Sequence, residues 1–222
     1  MRFVFASNNA HKLDEVRAIM PSGVEVLSLR EVGFEQEIEE NGTTLEQNSK
    51  IKAQAVAAFI SNQPSAVSRQ IDGVFADDTG LEIDALDGRP GVYTARWYRM
   101  NELTNEGVKE LTNEREIFAA NRAKALRELK DKENRGAQFR TVITLIRLEN
   151  GASRLQDAML QVSGVVRGRI ATEQYGQGGF GYDPIFIPEG YDKTFGELPA
   201  EVKNGISHRA RALQELVKIL NR

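Results

Sequence analysis

The chain has 222 residues, 41% apolar and 27% charged, the profile of a folded protein large enough to hold its core without covalent staples. It has no cysteine, which removes disulfides, thiolate metal sites and a cysteine nucleophile; with only His11 and His208 as imidazoles, a metal would rest mainly on carboxylates. A formal charge of −3 argues against a nucleic-acid partner, no apolar run reaches membrane-spanning length, and the opening MRFVFASNNAHK carries no signal-peptide pattern, so the expected setting is the cytoplasm and a small anionic ligand is allowed.

In chain order, Arg2 to Ala6 reads as a short buried strand, and Ser7-Asn8-Asn9 as a polar break with helix-capping residues. Ala10 to Met20 reads as a helix stopped by Pro21, and Val24 to Leu29 as a second strand. Strand, turn, helix, strand implies parallel pairing. An acidic loop over residues 35–42 leads into a helix from Thr44 to Ser61, with Ile51, Ala55, Ala58 and Phe59 as its apolar stripe. Residues 62–69 read as a surface loop. Val74 to Ala76 is a short strand running into Asp77-Asp78-Thr79-Gly80, and Leu81 to Leu86 alternates as a separate half-buried strand. Gly88, Pro90 and Gly91 mark a turn. The charged stretch from Tyr98 to Lys132 is helical in character, with a break near residues 113–116. Ala137 to Leu148 and Ser153 to Val166 are the longest strand segments, with Asn150-Gly151 as a hairpin signal between them. A glycine-rich segment, Gly176 to Pro184, precedes a short strand at Ile185 to Ile187. The last helix starts at Ser207 and buries Ala210, Leu213, Leu216, Val217 and Leu220. No repeat or linker divides the chain, so residues 1–222 read as a single α/β domain.

Five clusters carry polar chemistry, and each has a plain structural alternative. Ser7-Asn8-Asn9-Ala10-His11-Lys12 places helix N-terminal N–H groups and a cation where phosphate binds, or is an ordinary cap with a solvated lysine. Glu39 and Glu40, followed by Glu46, Asn48 and Lys52, offer oxygen ligands to a hard cation, or form a solvated loop and helix face. Asp77-Asp78-Thr79-Gly80 places two acids in opposite directions, one able to ligate Mg²⁺ or take a proton from water, or is an acceptor-rich turn. Gly178 to Pro184 puts two aromatic rings in a loop that can approach a base, or is a tight turn with an aromatic plug. Lys203 and Ser207-His208-Arg209 supply cations and a planar guanidinium, or are a cap with surface charges.

Taken in order, these segments resemble the inosine triphosphatase-like (Ham1) family, the XTP/dITP diphosphatases. The resemblance lies in Ser7 to Lys12, in Glu39 to Ala53, in Asp77 to Trp97, in Gly178 to Phe186 and in Lys203 to Arg209, and so spans nearly the whole chain. Asn8 stands where the family usually has glycine, Thr79 where serine is commoner, and residues 99–118 look longer than the usual connection. The resemblance implies an elongated mixed sheet with flanking helices in two lobes around a central nucleotide cleft, and a homodimer. It implies Mg²⁺-dependent cleavage of ITP, dITP or XTP to the monophosphate and pyrophosphate. Asp78 would be general base and metal ligand, with Glu40 or Glu39 as the second carboxylate. Ser7, Asn9, Lys12, Lys52 and Lys203 would hold the triphosphate, within the loop that includes Asn8, Ala10 and His11, and Thr79 would bond near phosphate or sugar. Phe180, Gly181, Tyr182 and Asp183 would wall the base, and His208 and Arg209 would read the purine edge. Three other classes are weighed against this reading: a nucleotide sensor without catalysis, a Maf-type phosphatase, and an RNA-binding sheet.

Overall fold

The computed structural model describes residues 1–63, 70–100, 111–148 and 159–220. The fold is mixed α/β, and the chain divides into two compact units. The first comprises Met1–Asp78, Thr141–Val165 and Ser207–Arg222; the second comprises Thr79–Arg140 and Val166–Ile206.

In the first unit, β1 (Arg2–Phe5) is buried and pairs in parallel with β2 (Glu25–Leu27) on one side and with β3 (Gly73–Ile83) on the other. The connection from β1 to β2 is α1 (Ala10–Ile19), and the connection from β2 to β3 contains α2 (Leu45–Ser61). Parallel strands need such crossovers, which is why the alternation of strand and helix was informative. Thr144, from β5 (Gly136–Arg147), and Ser49 of α2 join hydroxyl to hydroxyl at 2.7 Å, and Ser49 also donates to the Ala76 carbonyl at 3.1 Å, pinning α2 to the sheet. On the other face lies α5 (His208–Leu220), with Ala212, Leu213 and Leu216 packed against Phe3, Phe5 and Phe75. A Cβ on Gly164, within β6 (Met159–Ile170), would come 2.2 Å from the His208 carbonyl and 2.3 Å from the Ala212 amide nitrogen. Only glycine lets the first turns of α5 lie this close to the strand.

The second unit begins with Thr79–Ile83 of β3, which pairs antiparallel with β4 (Pro90–Gly91). Its helices are α3 (Glu114–Glu128) and α4 (Ala200–Ile206), and β7 (Phe186–Pro188) pairs antiparallel with the end of β6. Leu81, Ile83, Trp97, Phe139, Phe186 and Phe195 form its core. Rings of Phe139 and Phe186 meet edge to face, with centroids 4.8 Å apart.

Several sequence expectations are corrected here. Asp77-Asp78-Thr79-Gly80 is the middle of one continuous strand, because every residue from Gly73 to Ile83 keeps the extended ladder. The buried face of α2 is Leu45, Asn48, Ser49, Lys52, Ala53, Val56, Ala57 and Ile60, one position round from the expected stripe. Apolar character alone misplaced it, since three of the inward residues are polar. Gly91 and Pro90 form a short strand as well as a turn. Thr94–Arg99 forms short 3₁₀ turns on either side of a kink at Arg96, and the sequence pattern does not mark α4. The second long strand is Met159–Ile170, four residues later at its end than expected. The Asn150-Gly151 hairpin signal, residues 153–158, most of the 62–69 loop and residues 101–110 of the long connection lie outside the described residues.

Candidate functional site

The alternation of β3 builds the site in the first unit. Val74 and Ala76 belong to the core shared with Ala53, Val56 and Ala57 of α2, whereas Phe75 packs with Val16 of α1 and Leu213 of α5. Side chains along a strand point to opposite faces in turn. Asp78 therefore emerges on the α2 side and Asp77 on the side of α1 and α5.

Asp77 is 1% exposed. Its Oδ1 accepts from Lys12 Nζ at 2.9 Å, and its Oδ2 accepts from Arg209 Nε at 3.0 Å and Nη2 at 2.9 Å. The third Arg209 nitrogen donates to Glu15. Burial by itself would push the Asp77 carboxyl up, but Lys12 and Arg209 overcome it and hold the group well below the ordinary carboxylate range. Burial also pulls Lys12 down, against the attraction of Asp77. For Arg209 the acids win over burial and hold the guanidinium charged.

Asp78 is treated differently. Its Oδ1 accepts from Lys52 Nζ at 3.1 Å, and the same nitrogen donates to Glu40 Oε2 at 3.0 Å. Its Oδ2 is buried and has no donor among the described residues. Burial raises the Asp78 pKa, with Glu40 adding to it and Lys52 and Lys12 opposing. Burial would lower Lys52, yet Asp78 and Glu40 together keep it raised. Glu39, one residue earlier, is exposed.

These groups suit a hard divalent cation. No group of three or more His, Asp or Glu side chains gathers among the described residues, but Mg²⁺ needs only one or two carboxylates beside water and phosphate oxygens. Asp78 and Glu40 share one lysine, and an orphaned carboxylate oxygen is a strong acceptor without an internal partner.

The turn after β1 leads toward these acids: Phe5 pairs with Phe75, the Ala6 N–H donates to the Phe75 carbonyl at 2.8 Å, and Lys12 in the helix that follows reaches Asp77. Ser7 Oγ accepts from the Asn9 N–H at 3.2 Å, and Asn9 caps α1 by accepting from the Lys12 N–H at 3.0 Å. Asn8, Ala10 and His11 are exposed. At the start of α5, Ser207 Oγ caps by accepting from the Ala210 N–H at 3.1 Å, and His208 and Arg209 are both buried.

The second unit holds its own cluster. Asp183 Oδ2 accepts from Lys203 Nζ and, at 2.7 Å, from the Phe180 N–H. Lys203 Nζ sits 4.8 Å from the Phe180 ring centroid. Tyr182 is buried, its hydroxyl donates to the Thr94 carbonyl at 3.0 Å, and burial raises its pKa. Arg122 of α3 donates to the Gly181 carbonyl at 2.7 Å and to Gln174 at 2.7 Å. Thr79 opens this unit and is half-buried.

A sequence profile of the Ham1 family matches residues 3–219. The chain belongs to the Ham1 family. It is 42% identical over 220 residues to the dITP/XTP pyrophosphatase of Bacillus subtilis, covering 98% of this chain and 96% of the relative. It is 39% identical over 220 residues to the dITP/XTP pyrophosphatase of Flavobacterium johnsoniae, covering 99% and 98%. The solved structure of the Staphylococcus aureus Ham1 protein superposes with a TM-score of 0.75 at 33% identity, covering 100% of this chain and 98% of that one. A HAM1 protein from Coxiella burnetii gives a TM-score of 0.75 at 32% identity, covering 100% and 98%.

Within this Ham1 chain, Lys12, Asp77 and Arg209 are brought together, as are Lys52, Glu40 and Asp78, and as are Phe180, Asp183 and Lys203. Glu15 and Arg122 were not singled out from sequence. Glu15 lies three residues beyond Lys12 on the same face of α1, a spacing that could have flagged it. Arg122 acts on a backbone carbonyl distant in sequence, for which no local signal exists.

Proposed function

We propose that this Ham1 protein is a Mg²⁺-dependent nucleoside triphosphate pyrophosphatase that hydrolyses non-standard purine nucleotides, ITP, dITP and XTP, to the monophosphate and pyrophosphate. The observation that carries the reading is Asp78: one carboxylate oxygen held by the lysine that also holds Glu40, the other buried and without a partner among the described residues. Mg²⁺, when bound by Asp78 and Glu40, would neutralise phosphate charge and polarise the bond that breaks. Asp78 accepts a proton from the attacking water as its oxygen bonds to the α-phosphorus. The bond from that phosphorus to the bridging oxygen breaks, and pyrophosphate leaves. The raised Asp78 pKa suits a group that must take up a proton.

Lys12 and Lys52, with the Ser7–Lys12 turn, are assigned to the phosphates, where fixed N–H groups and cations stabilise charge without reorganising. Lys203 is assigned there in the sequence reading; its bond to Asp183 and its place over Phe180 support a second duty in fixing the aromatic wall. Phe180 and Gly181 take the face of the base, Tyr182 backs them, and Thr79 serves the sugar or phosphate. His208 is assigned to the purine edge. Arg209 has its nitrogens on Asp77 and Glu15, which supports a role in holding Asp77 rigid beside Asp78. Hypoxanthine and xanthine present a 6-oxo acceptor where adenine presents a donor. A donor at that edge would disfavour adenine by about 1–3 kcal/mol per unpaired group. Guanine shares the 6-oxo group, so its rejection falls to the 2-position.

No helix among the described residues is long and apolar enough to cross a membrane. A cytoplasmic homodimer acting on free nucleotides, with no nucleic-acid partner, completes the proposal. The test is incubation with ITP and Mg²⁺ and separation of products by ion exchange, with Asp78→Asn as control. IMP plus pyrophosphate, absent in the variant, is the expected result. IDP plus phosphate, or equal turnover of ATP, would overturn the reading.

A further inference from the structure

Asn48 has no part in the reaction proposed above, yet its side chain is fully buried on the inward face of α2. Its Oδ1 accepts from the Gly42 N–H at 2.8 Å. Only the carbonyl end of an amide can face an N–H, so this bond fixes the orientation of the group. The Nδ2 end then points elsewhere, buried and without an acceptor among the described residues. Burying that donor is not what helix capping demands. The cap is already made by Thr44, whose Oγ1 accepts from the Gln47 N–H at 3.2 Å, and Gln47 returns by accepting from the Thr43 N–H at 2.7 Å.

Asn48 and Lys52 are one turn apart on α2. Lys52 holds the Glu40 carboxylate and Asn48 holds the backbone two residues later, so the short segment carrying Glu40 is gripped at two points from one helix face. The fit at the second point is tight. A Cβ on Gly42 would stand 2.6 Å from Asn48 Oδ1, 2.7 Å from Gln47 Cβ and 3.1 Å from the Asn48 amide nitrogen. Glycine at 42 is thus required by the closeness of Asn48.

We propose that Asn48 is a positioning residue that sets the Glu40 carboxylate for metal binding by clamping the Gly42 N–H. The proposal rests on the assignment of Glu40 and Asp78 as the metal carboxylates. Residues that hold metal ligands in place typically alter metal affinity or activity by about 10–100-fold when removed.

The experiment compares wild type, Asn48→Ala and Gly42→Ala, the second variant disrupting the same clamp from the other side. Two quantities are read: amide hydrogen exchange of the segment Glu39–Thr44 in metal-free protein, and the Mg²⁺ concentration giving half-maximal pyrophosphate release from ITP. Both variants are expected to speed exchange in that segment and to raise the Mg²⁺ requirement about tenfold. At saturating Mg²⁺, kcat should return to within about threefold of wild type, since Asp78 and Lys52 are untouched. Faster exchange with an unchanged Mg²⁺ requirement would make Asn48 a structural bond only and overturn the proposal. So would a kcat loss that no Mg²⁺ concentration restores. If wild type releases no pyrophosphate, the functional reading fails, and the exchange arm alone judges the clamp: unchanged exchange in both variants rejects it.

Discussion

The charged clusters of the two units are built on opposite lines. In the second unit, Asp183 and Lys203 close on each other, the carboxylate takes the Phe180 N–H as well, and the ammonium lies over aromatic rings, 4.8 Å from Phe180 and 5.8 Å from Phe195. In the first unit, acids and bases form a chain, and one buried oxygen of Asp78 has no partner among the described residues. A closed pair fixes shape; the open chain is where the proposed cation would bind. The same contrast recurs within the first unit, where Asp77 is enclosed by Lys12 and Arg209 while its neighbour Asp78 is not. Burial is similar for the two acids and charge compensation is not, which is why their pKa values move apart.

The largest expected effect breaks the open cluster. Asp78→Asn should lower turnover of ITP by about 10³-fold or more, the upper range for losing a group with the proposed double duty of general base and metal ligand. Its melting temperature should stay level or rise, because the substitution removes a poorly compensated buried charge. A fall in melting temperature that tracks the loss of activity would show instead that Asp78 belongs, like Asp77, to the framework.

Asp77→Asn should do the reverse. It leaves Lys12 and the buried Arg209 facing each other without their shared acid, and removing one partner of a buried ion pair costs about 3–5 kcal/mol. Chemical denaturation would measure it. The pH dependence has a definite sign. The folded pKa of Asp77 lies below the ordinary value of 3.8, so the unfolded chain takes the proton first as pH falls. Its contribution is full above about pH 4 and is lost progressively below. Wild-type stability should therefore fall more steeply than that of Asp77→Asn in that acid range.

Much of this arrangement was legible in the sequence. The strand–turn–helix opening and the Ser207 cap are written in local patterns of apolar and capping residues, and they appear where those patterns end. The opposite orientation of Asp77 and Asp78 follows from strand geometry alone. What the pattern hid was polar burial. The inward face of α2 includes Asn48, Ser49 and Lys52, each serving the sheet or the site, so a search for an apolar stripe settles on the neighbouring face. The acid pair looked like a turn for the same reason: a strand interior seldom carries two adjacent carboxylates unless cations from other elements meet them. Which of Glu39 and Glu40 reaches Lys52 is a matter of tertiary position that the loop sequence does not encode, and it is Glu40 that does.

The smallest expected effect tests the closed cluster. Phe180 is half-buried, with Lys203 over its ring and Phe118 at 6.1 Å between centroids. Phe180→Ala removes the exposed aromatic face but leaves the Asp183–Lys203 pair and the main-chain N–H at 180 in place. Stacking of a base on an aromatic ring is worth about 1–3 kcal/mol, so KM for ITP should rise about 5–150-fold with kcat within about threefold of wild type. That split follows from rigidity: a wall that meets the ground state and transition state alike lowers KM without touching the chemical step. If kcat fell and KM held, the ring would be contributing only as the phosphorus is attacked, and the division between a shaping cluster and a reacting one would not stand.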